Sequence, residues 1–187
     1  ELIMPGYTFT PFATVNSNCL ANSVVCNSPT KNFNIAGLQI ANIVCSNEEW
    51  RRRIDRVINI FEVCDVNPFG PIALEAAYNE SEEWLNKLLL YIADNYALLT
   101  DTFKKYLPDY EVLKLEGTYL VWVDIRKSGL KSDVLAEKLL HDGKVQVNSG
   151  MMYGKTAGEN YIRINIACTR ATLQEGLNRI IKVLSHL

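Results

Sequence analysis

Ser28-Pro29-Thr30-Lys31-Asn32-Phe33-Asn34-Ile35-Ala36-Gly37-Leu38 is the stretch from which the rest of the chain takes its meaning. It holds one lysine between the end of a predicted strand and a glycine. Upstream, Ser23-Val24-Val25-Cys26 predicts a short buried strand. Downstream, Leu38-Gln39-Ile40-Ala41-Asn42-Ile43-Val44-Cys45 predicts a second, mostly apolar, as strands of a parallel sheet are when both faces are covered. A lysine where a strand of an α/β sheet gives way to a loop lies where such sheets bind ligands. Spacing alone leaves two readings open: a solvated surface charge, and a nucleophilic amine on a flexible stem.

Ser28-x-x-Lys31 followed by Phe33-Asn34-x-x-Gly37-Leu38 resembles the cofactor-lysine segment of fold-type I pyridoxal-phosphate enzymes. The similarity lies in the aminotransferase class I/II family, in its cystathionine β-lyase-like (cystalysin-like) branch. The resemblance implies that Lys31 is the Schiff-base lysine and that Ser28 helps hold the phosphate of pyridoxal 5'-phosphate. A primary amine suits both halves of that role. It condenses with an aldehyde, and once displaced it is a base placed to take a substrate's Cα proton.

With 187 residues the chain is long enough for one sizeable core or two small ones. Apolar content of 48% and charged content of 21% are those of an ordinary globular protein. A formal charge of −2 gives no reason to expect nucleic acid or an anionic membrane as partner. No apolar run approaches a transmembrane span. The opening Glu1-Leu2-Ile3-Met4-Pro5 lacks the basic and apolar regions of a signal peptide. Cys19, Cys26, Cys45, Cys64 and Cys168 are widely spaced and odd in number. They favour a reducing, cytoplasmic setting over a disulfide framework, with Cys26 and Cys45 packed as small hydrophobes. No metal site is expected.

Along the chain, residues 1–22 predict a loop-like entry with a short helix near Phe12. Ser46 and Glu49 predict a capping box opening a helix with Trp50, Ile54, Val57, Ile58 and Phe61 inward. Its Arg51, Arg52, Arg53 and Arg56 suit a solvated face better than a phosphate site. Asn67-Pro68-Phe69-Gly70-Pro71 marks a break and a domain boundary. A short helix follows, then a longer one capped by Ser81 and ended by Pro108. A strand is predicted within 112–124, and a helix from Ser132 to a stop at Gly143. Val145-Gln146-Val147 predicts a short strand, Tyr161 to Ala167 a strand of period two, and Thr172 with Glu175 the cap of a closing helix.

Tyr161-Ile162-Arg163-Ile164-Asn165-Ile166-Ala167 resembles the Arg-x-Asn-x-Ala strand near the C-terminus of the same family, whose arginine binds the substrate α-carboxylate. Alternation sets Arg163 and Asn165 on one face and three isoleucines on the other. From the residues alone, Arg163 reads as a strand arginine paired with a carboxylate on a solvated face. Gly117-Thr118-Tyr119 and Gly150 to Gly154 resemble positions near the site mouth. Tyr153 reads as a substrate-channel residue or an ordinary loop aromatic.

The expected fold class is α/β: the C-terminal part of the large domain of fold type I (1–67), then an interdomain helix and a small α+β domain (68–187). By the resemblance, the chain is a fragment covering the C-terminal half of a family member. The aspartate for the pyridine nitrogen, the ring-stacking aromatic, the asparagine at the ring hydroxyl and the phosphate loop would precede Glu1. The partners implied are the N-terminal half of the same protein, a second copy in a homodimer, and a small amino-acid substrate. The activity implied is a C–S β-lyase acting on L-cysteine conjugates such as cystathionine. A transaminase of L-amino acids and a non-catalytic relative of the fold stay open.

Overall fold

In the computed structural model, which describes residues 1–187, the period-two stretch becomes β5 (Tyr161–Asn165). It is the central strand of a three-stranded antiparallel sheet, ordered β3-β5-β4, with β3 spanning Leu120–Asp124 and β4 Asn148–Ser149. In register, Val121 faces Ile164 and Val123 faces Ile162, and all four are buried. Completely burying an aliphatic side chain stabilises by about 1.5–3 kcal/mol, so this row is a main anchor of the sheet. The opposite face carries Trp122, Arg163 and Asn148 in one cross-strand row.

Helix α5 (Ser132–His141) buries Leu135 and Leu139, and α6 (Arg170–Leu184) buries Leu173, Leu177, Ile180, Val183 and Leu184. From α4 (Glu82–Tyr106), Ile92, Asn95, Leu99 and Phe103 turn inward at helical spacing. Asn95 is fully buried. Its amide donates to the carbonyls of Ile166 (2.9 Å) and Cys168 (3.0 Å) and accepts from Arg170 Nε (2.8 Å), joining α4 to the end of β5 and the start of α6. The opening segment joins this unit too. Met4 N donates to Glu116 O and Thr118 N to Leu2 O, with Leu2 and Met4 buried. The two segments approach closely at Gly117, where a Cβ would come 3.1 Å from the Leu2 carbonyl.

The chain packs as two compact units, one of Glu1 with Thr8–Leu88 and one of Leu2–Tyr7 with Leu89–Leu187. The first contains α1 (Ser17–Ala21), β1 (Val24–Asn27), β2 (Asn42–Cys45), α2 (Glu48–Ile60) and α3 (Phe69–Glu80). In it α3 approaches the lysine loop closely: a Cβ at Gly70 would meet Ile40 at 3.2 Å and the Leu38 carbonyl at 3.3 Å. No helix is long and apolar enough to cross a membrane.

Several local expectations are corrected. β1 and β2 pair antiparallel, Val24 opposite Cys45, and form a two-stranded sheet rather than part of a parallel one. The cap of α2 is Asn47, whose side chain accepts from Trp50 N, while the Ser46 hydroxyl donates to Leu20 O. Ser81 donates back to Ala76 O instead of capping α4. Thr169, not Thr172, caps α6. Residues 145–147 run without strand pairing, which begins at Asn148. After α5 the left-handed residue is Lys144 (φ 52°), not Gly143, which is needed because a Cβ there would come 2.8 Å from Leu139 O. Cys45 is buried as expected but Cys26 is exposed, and all five thiols are free.

Candidate active site

Lys31 sits in the turn that leaves β1. The turn is closed by Phe33 N donating to Pro29 O and Ile35 N to Thr30 O, both 3.0 Å. Asn34 adopts φ 55°, a left-handed conformation that asparagine tolerates better than most residues. Pro29 is buried beneath the turn, and the Phe33 ring locks it, edge-on to Tyr78 at 5.7 Å and stacked on Trp84 at 6.0 Å. The Ser28 hydroxyl donates to Ile40 O (2.5 Å), accepts from Thr30 N (3.2 Å) and lies 2.9 Å from the Thr30 hydroxyl. Two hydroxyls and one amine thus share a single turn. The Lys31 side chain is exposed and enters no ion pair or hydrogen bond. An unpaired primary amine beside two hydroxyls fits an aldehyde and one phosphate oxygen of pyridoxal phosphate.

The second cluster lies on the open face of the three-stranded sheet. The Arg163 guanidinium carbon stands 4.3 Å from the centre of the Tyr153 ring. Tyr153 in turn meets Trp122 edge to face, centroids 5.5 Å apart, and its hydroxyl accepts from Asn148 Nδ2 at 3.0 Å. Tyr153 follows a 3-10 turn, Gly150–Met152, in which Met151 N donates to the Ser149 and Ser132 hydroxyls. Ser132 donates to Gly158 O (2.9 Å), and backbone contact is so close that a Cβ at Gly150 would lie 2.3 Å from that same oxygen.

Arg163 differs from the other arginines of its unit. Arg126 pairs with Asp124, Arg170 with Asp94 and Arg179 with Glu175, whereas Arg163 has no carboxylate partner. The reading of Arg163 as half of a surface ion pair is therefore not met. Asn165, on the same face, is occupied locally, its Oδ1 accepting from Ala167 N. Thr30, Phe33, Trp122 and Asn148 were not legible as site residues. Phe33 lies within the motif, and the other signal, the Trp122–Arg163–Asn148 row, exists only once strand register is known. Of the arginines of α2, Arg51 donates to Cys45 O and Ser46 O, and Arg52 pairs with Glu48.

Residues 11–180 match the family profile described as aminotransferase class I and II. Cystathionine beta-lyase PatB of Bacillus subtilis (strain 168) is 35% identical over 185 residues, 99% of this chain and 48% of that protein. An aspartate aminotransferase of Pyrococcus horikoshii is 26% identical over 165 residues, 87% of this chain and 41% of that protein. Among solved structures, cystalysin from Treponema denticola, which contains pyridoxal 5'-phosphate, superposes with a TM-score of 0.94 at 30% identity, covering 99% of this chain and 47% of that one. The chain spans about half the length of the curated relatives it matches.

Proposed function

The chain belongs to the aminotransferase class I and II family, and from that premise we propose that the protein carrying it is a pyridoxal-phosphate-dependent C–S β-lyase. Its overall reaction takes an L-cysteine thioether and water to a thiol, pyruvate and ammonia. The observation that carries the reading is Arg163, an arginine on a central strand held by an aromatic ring and paired with no carboxylate. Such a guanidinium suits a substrate carboxylate, which it grips with two parallel hydrogen bonds. The likeness to PatB and cystalysin supports the lyase. The aspartate aminotransferase likeness supports transamination as the second reading.

Lys31 and Ser28, with Thr30, are the residues that would hold the cofactor. Taking up a phosphate oxygen asks the Ser28 hydroxyl to rotate away from the Ile40 carbonyl. When bound, pyridoxal phosphate supplies the aldehyde that accepts an amine and the conjugated ring that delocalises the electron pair left at Cα. Lys31 Nζ takes the Cα proton; Arg163 fixes the carboxylate; Tyr153 keeps water off one face of the guanidinium. We further propose residues 1–67 as the end of the large domain and 68–187 as interdomain helix and small domain. The active form is a cytoplasmic homodimer that includes an N-terminal half. Five free thiols support a reducing compartment.

The test uses the full-length protein. With cystathionine it should release pyruvate and a thiol without any added 2-oxo acid. Lys31→Ala should abolish both turnover and the visible absorbance of lysine-bound cofactor. Turnover that requires a 2-oxo acid would move the assignment to the transaminase, and wild-type turnover in Lys31→Ala would end it.

A further inference from the structure

Resting on the carboxylate reading of Arg163 and deepening it, we propose that Trp122 and Asn148 are positioning residues that hold the Tyr153 ring over Arg163, so that the guanidinium meets the substrate carboxylate by its N–H edge. Arginine has a long flexible side chain, and one without an ion-pair partner has much rotamer freedom to lose on binding. The sheet restricts it from three directions. Trp122 on β3 and Asn148 on β4 stand directly opposite Arg163 on either side of β5. Tyr153 covers it at 4.3 Å, a distance at which a ring face attracts a guanidinium.

Tyr153 alone would be a loop aromatic free to swing. It is held at two further points, the edge contact to Trp122 (5.5 Å, 86°) and the hydrogen bond from Asn148 Nδ2 (3.0 Å). Its turn is anchored by the Ser132 and Ser149 hydroxyls. None of the three side chains brings negative charge. This contrasts with Arg126, whose fork is filled by Asp124. A neutral ring 4.3 Å from the guanidinium carbon gives its N–H groups no carboxylate acceptor, so the support orients the group without neutralising it. The consequence is selectivity: an edge-on fork rewards a carboxylate and disfavours a carboxamide, whose NH2 would face the guanidinium's own donors.

The experiment measures dissociation constants on the full-length holoenzyme for 2-methylalanine and for its carboxamide. Neither has a Cα proton, so neither enters the Cα-deprotonation step. The readout is the amide-to-acid ratio, which a general loss of packing would not move, with near-ultraviolet circular dichroism as the folding check. Asn148→Leu and Tyr153→Phe should each lower the ratio about threefold to tenfold, the worth of one hydrogen bond. The double variant should lose no more than either, because both delete the same bond. Tyr153→Leu and Trp122→Leu should lower it about tenfold. A collapse in Arg163→Ala with the ratio kept in the Asn148, Trp122 and Tyr153 variants overturns this proposal and leaves the carboxylate reading standing. Additive losses in the double variant overturn the action of Asn148 through Tyr153. An unchanged ratio in Arg163→Ala, or no binding of either ligand, overturns the carboxylate reading and this proposal with it.

Discussion

Arg163 and Arg126 show how one residue type serves two ends. Both begin on or beside a strand of the same sheet, but Arg126 closes on its neighbour Asp124 while Arg163 has only an aromatic ring and two neutral cross-strand neighbours. A guanidinium left without a counter-ion keeps its charge and its fork for a ligand. Truncating one partner of such a pair in a partly desolvated cleft costs on the order of 2–5 kcal/mol. Arg163→Ala in the full-length enzyme should therefore lower kcat/KM by roughly two to three orders of magnitude, about 3–4 kcal/mol. Arg163→Lys should recover little, since an ammonium has no planar fork. Steady-state kinetics decide the matter: a folded Arg163→Ala within about threefold of wild type would make Arg163 a structural residue.

Elements here depend on polar clamps at their ends as much as on apolar faces, and β3 gives the testable case. Its last residue, Asp124, is buried, and its carboxylate accepts from Arg126 Nε (2.8 Å) and Arg126 N (2.9 Å). The Arg126 side-chain hydrogen bond, reinforced by its backbone N–H and its charge, holds the Asp124 carboxyl below the usual carboxylate range. The folded state thus binds this proton less readily than the unfolded chain. The stabilisation is complete above the ordinary carboxylate value of about 3.9 and is lost as pH falls through the folded value. Asp124→Asn should lower stability at neutral pH by about 1–3 kcal/mol. The gap in urea midpoint between the two proteins should persist to about pH 5 and close below about pH 4. A gap of equal size at pH 3 would show that the ionised pair is not its source. These clamps were the least legible part of the sequence. β5, α6 and the inward Ile92, Leu99 and Phe103 of α4 followed from periodicity, because one buried face fixes the period, whereas Trp84 on the same stripe is exposed and Asn95 is buried. Ser46 and Thr172 were plausible caps, but Asn47 and Thr169 are the residues whose side chains meet the free N–H groups, a choice made by backbone geometry. Lys31 and Arg163 were legible through their motifs. Trp122, Asn148 and Phe33 join the site through register and packing, which no local pattern records.

At the scale of the whole chain the two units are unequal in what they bury. Leu2–Tyr7 with Leu89–Leu187 encloses a core that includes Leu99, Phe103, Val121, Leu135, Ile162 and Leu177, each at most 1% exposed. In the unit of Thr8–Leu88, α2 has no buried residue, although Trp50, Ile54, Val57, Ile58 and Phe61 repeat at helical spacing. Phe61 is 71% exposed, and Val24, Ile43 and Val44 of the β1–β2 pair face outward. A lone two-stranded sheet is marginal in water. An amphipathic helix whose apolar stripe is at most half-buried lacks much of the tertiary packing that supplies most helix stability. The expectation of a parallel sheet failed because β1 and β2, although composed like strands covered on both faces, pair antiparallel and only with each other. Residues 1–187 produced alone should therefore show hydrogen-exchange protection in α4, β3, β5 and α6, and little in β1, β2 and α2. Pyridoxal phosphate should associate weakly with that chain, without the Lys31-dependent visible band, because the turn bearing Lys31 is carried by the poorly protected unit. In the full-length protein the same amides in β1 and β2 should become protected and the band should form. Mass-spectrometric exchange on both proteins, with a cofactor titration alongside, makes the comparison. Protection of residues 24–45 in the isolated chain equal to that in the full-length protein, or tight Lys31-dependent cofactor binding by it, would show that the exposed apolar surface of the first unit needs no further polypeptide.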